Sequence, residues 1–272
     1  MRHSQLAINS ISTQDVDLEI RLHDYRRAGF EKVEFSLAQI KNKMAVGFSL
    51  EQIKKMLRES GLTCIGGFES TISCFGESRQ RIFHNQQIIQ NANMVAELGG
   101  SILVVGTDGP SKKISDPLKQ MSEVVAEVAH KVEDTGVTIC IEFNWSPFVK
   151  SLRTAAEIAR GSEMSNVGVL FDTAHYYCTP TKFDQLSIEN VSLIKHVHIN
   201  DMKDIPAEFC DHNRDRVLPG QGCLDLSSIL NRLELHGYCG HFSIEMFSQR
   251  LWDLPTEDAA KEMYESLLPF CL

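Results

Sequence analysis

Eight short apolar runs of β type recur along the chain, and a stretch with helical periodicity follows nearly every one. The runs are "QLAINSI" (5–11), "KVEFSL" (32–37), "LTCIGGF" (62–68), "SILVVGT" (101–107), "VTICIEF" (137–143), "VGVLFD" (167–172), "IKHVHIN" (194–200) and "HFSIEMF" (241–247). Between them lie amphipathic stretches such as "DLEIRLHDYRRAGF", "SLEQIKKMLRESG" and "DPLKQMSEVVAEVAHKVEDTG". Several of these close on glycine just before the next strand, at Gly61, Gly99, Gly136 and Gly237, where a left-handed turn would stop a helix. Apolar strands alternating with helices imply a parallel sheet covered on its outer face. Eight such units in a chain of 272 residues match a single (β/α)8 TIM barrel, class α/β, spanning 1–272. An open doubly wound sheet is the competing architecture. The first strand is not followed by the Gly-x-Gly-x-x-Gly turn that its dinucleotide-binding version requires.

Charge and cysteine content narrow the function classes. The formal charge is −9, with 27 Lys and Arg against 36 Asp and Glu and no basic run, which argues against binding nucleic acid or an anionic membrane. No apolar stretch is long enough to span a bilayer, and "MRHSQLAINSIS" lacks the pattern of a secretion signal. The eight cysteines are scattered without a C-x-x-C pair, several inside apolar runs, which suits reduced core thiols and a cytoplasmic protein.

In a barrel, reactive groups stand at the C-terminal ends of the strands. The fifth run carries Glu142 there, the sixth Asp172, the seventh His198 and the eighth Glu245. A charge at the edge of an apolar strand is costly unless it is paired or holds a metal. Four such groups on consecutive strands are therefore read as one metal site. Three carboxylates and one imidazole suit Mn²⁺, Mg²⁺ or Co²⁺, admit Zn²⁺, and disfavour copper. His196 points to the same side as His198, one layer deeper, and reads as a hydrogen-bonded core histidine. Asp201 is the candidate partner that holds an imidazole in its binding tautomer. In "FDTAHYY", Asp172 could alternatively be a helix cap with His175 incidental.

With these residues placed, the chain resembles the xylose-isomerase-like (β/α)8 barrels, a superfamily of sugar isomerases, ketose 3-epimerases, inosose dehydratases and endonuclease IV. The resemblance runs from "AGFEKVEF" through "FDTAHYY", "HVHINDMKD" and "RVLPGQGCLDL" to "FSIEMF". It implies a divalent metal on Glu142, Asp172, His198 and Glu245, with His175 and Arg216 gripping substrate oxygens. It also implies a sugar, sugar phosphate or polyol substrate that reacts through a metal-stabilised enediolate, with Glu142 and Glu245 as acid and base. Trp145 and Phe68, the latter read as the end of the third strand, would pack on the carbon skeleton. Departures matter as well. The nuclease branch has histidines on the third and fourth strand ends, where this chain has "GGFES" and "VVGTDGP", and Phe148 stands where the 3-epimerases carry a second Glu. Isomerase or epimerase chemistry is the first expectation, a polyol-ketone dehydratase the second, and a ligand-binding barrel without catalysis the third. Glu34 is expected to line the barrel floor or pair with a core Arg, and "PGQG" (219–222) to form a plain turn. Leu251 and Trp252 look exposed, suited to covering a neighbouring subunit of a homo-oligomer or capping the barrel.

Overall fold

The computed structural model describes residues 1–272. Eight parallel strands close into a barrel: β1 (Leu6–Asn9), β2 (Lys32–Ser36), β3 (Thr63–Ile72), β4 (Ile102–Thr107), β5 (Thr138–Glu142), β6 (Val167–Asp172), β7 (Ile194–Ile199) and β8 (Phe242–Ile244). Closure comes from β1 pairing with β8, Leu6 opposite Phe242 and Ile8 opposite Ile244. A two-residue antiparallel ribbon, Asp201–Met202 with Arg216–Val217, stands above the C-terminal end of the barrel.

The alternation of side chains sorts each strand into two sets. Leu103, Val105, Ile139, Ile141, Val169, Phe171, Val197, Ile199 and Ile244 face outward and merge with the apolar faces of the helices into one large core. Ile102, Val104, Cys140 and Leu170 face inward and form a separate small cluster against Phe68 and Trp145. The helices are delimited as the sequence suggests. Ser49 and Gln52 form a capping box ahead of Leu50–Ser60, and Gly61 ends that helix at φ 73°, where a β-carbon would be strained. None of the helices is long and apolar enough to cross a membrane.

Three expectations are corrected. β3 continues to Ile72 past an irregularity between Phe68 and Thr71, so Phe68 is mid-strand and not its end. β8 stops at Ile244, which puts Glu245 on the loop that follows. Leu251 is buried, and Trp252 is partly buried with its indole N–H donating to the Ile11 carbonyl at 2.9 Å. Trp252 is held by the loops after β1 and β8, through Ile11 and Phe247, and Leu251 joins the large core. The helix Thr256–Leu267 beyond them packs on Leu18–Ala28, with Phe30 and Tyr264 edge to face at 5.1 Å.

A candidate metal centre at the mouth of the barrel

β5, β6 and β7 run side by side, with Glu142 opposite Leu170 and Asp172 opposite His198. β8 follows, with Ser243 opposite His198. This register brings one ligand atom each from Glu142, Asp172, His198 and Glu245 within 4.8 Å of one another, all buried. From His198 Nδ1 the nearest carboxylate oxygens lie at 3.3 Å (Glu245 Oε2), 3.7 Å (Asp172 Oδ2) and 4.0 Å (Glu142 Oε1).

Each carboxylate is oriented by a different neighbour. Asp172 is indeed the cap of the helix Thr173–Cys178: its Oδ1 accepts the amides of Ala174 and His175 at 2.7 and 3.2 Å, and the Asn200 amide group at 3.2 Å. That leaves Oδ2 facing the cluster. Capping and ligation, posed as rivals by the sequence, use different oxygens of one carboxylate. Glu245 is held by Asn9 Nδ2 at 3.1 Å and Arg216 Nη1 at 2.8 Å. Glu142 Oε1 lies 3.1 Å from His175 Nε2, whose Nδ1 meets Asn144 Nδ2 at 3.1 Å. Asn144 is one of two non-glycine residues at positive φ, 74°, a left-handed turn two residues after Glu142.

Arg216 is 4 % exposed and spans the cluster, its Nη2 3.1 Å from Asp172 Oδ2 without the alignment of a hydrogen bond. Its Nε donates to the His212 carbonyl at 2.7 Å, and its guanidinium lies 5.1 Å from the Phe247 ring. Burial opposes ionisation of all three carboxylates, yet the charges around them differ. Asp172 is held well below the usual range by Arg216, His175 and His198. Glu245 is held down by His198 and Arg216. Glu142 is pushed up, because burial and the charge of Glu245 outweigh its contact with His175.

His198 Nε2 points the other way, toward Glu34. Glu34 lies on β2, fully buried, and its carboxylate meets His198 Nε2 at 2.9 and 3.1 Å and His196 Nε2 at 3.0 Å. Burial works against its charge, but the two imidazoles lower it well below the ordinary carboxylate value. Burial likewise opposes protonation of His198, and the charges of Glu245 and Glu34 raise it well above the ordinary imidazole value. Glu34, expected either to line the barrel floor or to pair with a core arginine, lies inside the barrel and pairs with two histidines. Asp201, expected beside an imidazole, instead accepts four backbone amides, those of Met202, Gly220, Gly222 and Leu224 at 2.8–3.1 Å. The chain turns sharply after β7, so Asp201 faces the "PGQG" loop rather than the barrel axis, and it ties that loop to the ribbon bearing Arg216.

The cluster opens into a pocket of about 250 Å³ lined by Glu142, His175, Arg216 and Glu245 on the polar side and by Phe68, Trp145 and Phe247 on the apolar side. Phe68 and Trp145 meet edge to face at 6.4 Å. Trp145 can lie over the barrel because residue 106 is glycine: a β-carbon there would come within 2.3 Å of the Trp145 carbonyl. The loop between the ribbon strands contributes His212, its ring 5.0 Å from that of His175.

Of the candidate catalytic, binding and ligand residues named from sequence, Glu142, His175, Arg216, Glu245, Trp145 and Phe68 line this pocket. Asp172 and His198 complete the cluster with Glu142 and Glu245, whereas Asp201 stands apart. Sequence reasoning missed Asn9, Asn200, Asn144 and His212. Asn9 and Asn200 carry the same signal as the carboxylates, a polar residue at the end of an apolar strand, but an uncharged amide there marks a site less sharply than a buried charge does.

The residues present fit a divalent cation. His198 Nδ1 and Asp172 Oδ2 are buried polar atoms without hydrogen-bond partners, facing each other across the cluster. Arg216, the one permanent cation at the cluster, pairs with two of its three carboxylates, Asp172 and Glu245, and an ion would offset negative charge that it leaves. The donor set, three oxygens and one imidazole nitrogen, suits a hard or borderline metal.

The family model described as "Xylose isomerase-like TIM barrel" matches residues 22–269. An inosose isomerase of Bacillus subtilis (strain 168) is 30% identical over 192 residues, 68% of this chain and 69% of that protein. An inosose isomerase of Bacillus velezensis is 31% identical over 150 residues, 54% of this chain, and the chain spans about half of that relative, 53%. An inosose dehydratase of Serratia proteamaculans (strain 568) is 26% identical over 239 residues, 77% of this chain and 78% of that protein. Among solved structures, the crystal structure of IOLI protein with a binding zinc atom superposes with a TM-score of 0.87 at 22% identity, covering 98% of this chain and 97% of that one. D-Psicose 3-epimerase from Clostridium cellulolyticum H10, solved with D-tagatose, gives a TM-score of 0.77 at 15% identity, with 98% of each chain covered.

Proposed function

The chain belongs to the xylose isomerase-like TIM barrel family, and from that premise we propose that it is a divalent-metal-dependent isomerase or epimerase of a small polyhydroxylated ketone or aldehyde. One observation carries the reading. Glu142, Asp172, His198 and Glu245 converge within 4.8 Å at the base of a pocket whose two reactive-looking carboxylates, Glu142 and Glu245, stand in opposite electrostatic settings.

Glu142, Asp172, His198 and Glu245 would hold the ion. When bound, it supplies positive charge beside a substrate carbonyl and its neighbouring hydroxyl, which lowers the cost of removing the adjacent C–H proton. The protein supplies the rest. Glu245, kept anionic by Arg216 and Asn9, is suited to accept that proton at a carboxylate oxygen. Glu142, whose proton affinity is raised by burial, is suited to hold a proton and return it. Arg216 and His175 present donors to substrate oxygens from within the pocket wall. Phe68 and Trp145 cover the apolar faces of the carbon skeleton and exclude water. The pocket volume suits a monosaccharide or cyclitol, not an oligomer.

Return of the proton to the neighbouring carbon gives isomerisation, and return to the opposite face of the same carbon gives epimerisation. The 30–31% identity to inosose isomerases supports the former, with a keto-cyclitol as the substrate class. The second reading, loss of a β-hydroxyl as water, is favoured by the inosose dehydratase match over 77% of the chain. Incubating metal-loaded and metal-free protein with inososes and ketoses in D₂O separates these outcomes. Metal-dependent deuterium uptake beside the carbonyl is expected, with a product that is an isomer of the substrate and has lost no water. An unsaturated product would select the dehydratase, and equal exchange without metal would contradict both.

A further inference from the structure

We propose that Glu34 is a positioning residue: it fixes His198 as the Nε2–H tautomer and thereby aims the Nδ1 lone pair at the three carboxylates. The proposal rests on the reading of that cluster as a metal centre and deepens it, by assigning a role to a carboxylate that touches neither the pocket nor the candidate ligand atoms.

Glu34 is a fully buried acid in the middle of the apolar run "KVEFS". A carboxylate in that setting is retained only against a matching set of donors. Its hydrogen-bond partners are the two imidazoles, His196 Nε2 at 3.0 Å and His198 Nε2 at 2.9 and 3.1 Å. No lysine or arginine pairs with it. It reaches them across the barrel: β2 and β7 are separated by β1 and β8, and Glu34 and His198 stand 164 positions apart in sequence.

An ionised carboxylate only accepts, so both imidazoles must carry hydrogen on Nε2. For His198 this decides the outcome. With Nε2 committed to Glu34, Nδ1 faces Glu245 Oε2, Asp172 Oδ2 and Glu142 Oε1 at 3.3–4.0 Å and is the nitrogen left to give up its proton in favour of a cation. The opposite tautomer would set a lone pair against a carboxylate at 2.9 Å. His196 sits on the same inward face one pleat deeper, its ring 5.2 Å from that of His198 at 81°, and its second bond to Glu34 Oε2 keeps the carboxylate from turning away. A carboxylate–imidazole pair behind a metal ligand raises ligand basicity and fixes ring orientation, and its loss costs roughly 10–100-fold in metal affinity.

The test titrates metal-free protein with Zn²⁺, a diamagnetic probe, and reads the imidazole nitrogens of the zinc-loaded, ¹⁵N-labelled protein by NMR. In the natural sequence, one equivalent should bind, with His198 protonated on Nε2 and metal-shifted at Nδ1. In Glu34→Gln, which keeps the shape of the side chain, affinity should fall roughly 10–100-fold at unchanged stoichiometry, with circular dichroism of the metal-free variant confirming the fold. If that variant does not fold, the tautomer in the natural sequence decides alone. Zinc on His198 Nε2 overturns the proposal, as does a folded Glu34→Gln of unchanged affinity. A second equivalent that Glu34→Gln loses would make Glu34 a ligand and also overturn it. Absence of zinc binding by the natural sequence would overturn both this proposal and the metal-centre reading, whereas the other failures leave that reading standing.

Discussion

The inside of the barrel is two different materials. On β4, β5 and β6 the inward residues below the mouth are Ile102, Val104, Cys140 and Leu170, a dry cluster roofed by Phe68 and Trp145. On β1, β2, β7 and β8 they are Asn9, Glu34, His196, His198 and Ser243, all buried and mostly bonded to one another or to the mouth. The apolar half is stabilised by packing alone. The polar half depends on its hydrogen bonds, above all those of Glu34 with His196 and His198 and of Asn9 with Glu245. The difference explains where the candidate metal ligands stand. Glu142 and Asp172 rise from the rim of the apolar half and are oriented by groups at the mouth, His175, Asn200 and the Ala174 amide, whereas His198 and Glu245 are steered by polar groups beneath and beside them, Glu34 and Asn9.

Substitutions in the two halves should therefore fail in different ways. The largest effect is expected at Glu245→Gln, which keeps shape but removes a proton acceptor: turnover should drop by about 10²–10⁴-fold while substrate affinity changes little. A variant that turns over normally would remove Glu245 from the proton path. Arg216→Ala should destabilise the metal-free protein by about 3–5 kcal/mol, because Asp172 and Glu245 lose their shared cation in a buried site. Added Mn²⁺ should recover more stability in this variant than in the natural sequence, measured as the shift of the thermal midpoint. Equal shifts would mean that Arg216 does not compensate the carboxylates.

In the apolar half, Leu170→Ala should cost about 2–5 kcal/mol by opening a cavity. Metal affinity should stay near that of the natural sequence, because the Leu170 side chain packs in the apolar cluster with Ile102, Val104 and Cys140. A large loss of affinity would show that the two halves are mechanically coupled. The smallest effect is expected at His241, at the foot of β8. Burial, with His196 and Lys32 nearby, lowers its imidazole from the ordinary 6.5 to about 4. The unfolded chain therefore binds this proton more readily than the folded one. Its contribution to stability is present above about pH 6.5 and is lost as pH falls toward 4. His241→Asn should flatten the stability profile across that window; an unchanged slope would mean that another group titrates there.

The two halves also differed in how far the sequence disclosed them. Strand and helix order was readable because eight apolar runs and their glycine stops are local signals. Glu142, Asp172, His198 and Glu245 were readable because each interrupts an apolar run near its C-terminal edge. Glu34 interrupts one too, but its partners lie 162 and 164 residues away, and the pairing appears only when β1 and β8 close the barrel. Asp201 was misread because its position in sequence, three residues past His198, suggested an imidazole partner, while the turn after β7 gives it the Gly220, Gly222 and Leu224 amides. Leu251 and Trp252 sit in a polar-looking stretch whose burial depends on the loops after β1 and β8.

The central claim is that four side chains from adjoining strand ends hold one cation. Titrating chelator-stripped protein with Mn²⁺, followed by the loss of the free-ion paramagnetic resonance signal, tests it directly. One equivalent should bind to the natural sequence, and Asp172→Asn should bind at least about 10-fold more weakly. Free Mn²⁺ throughout the titration of the natural sequence, or equal binding by the folded Asp172→Asn variant, would contradict the account.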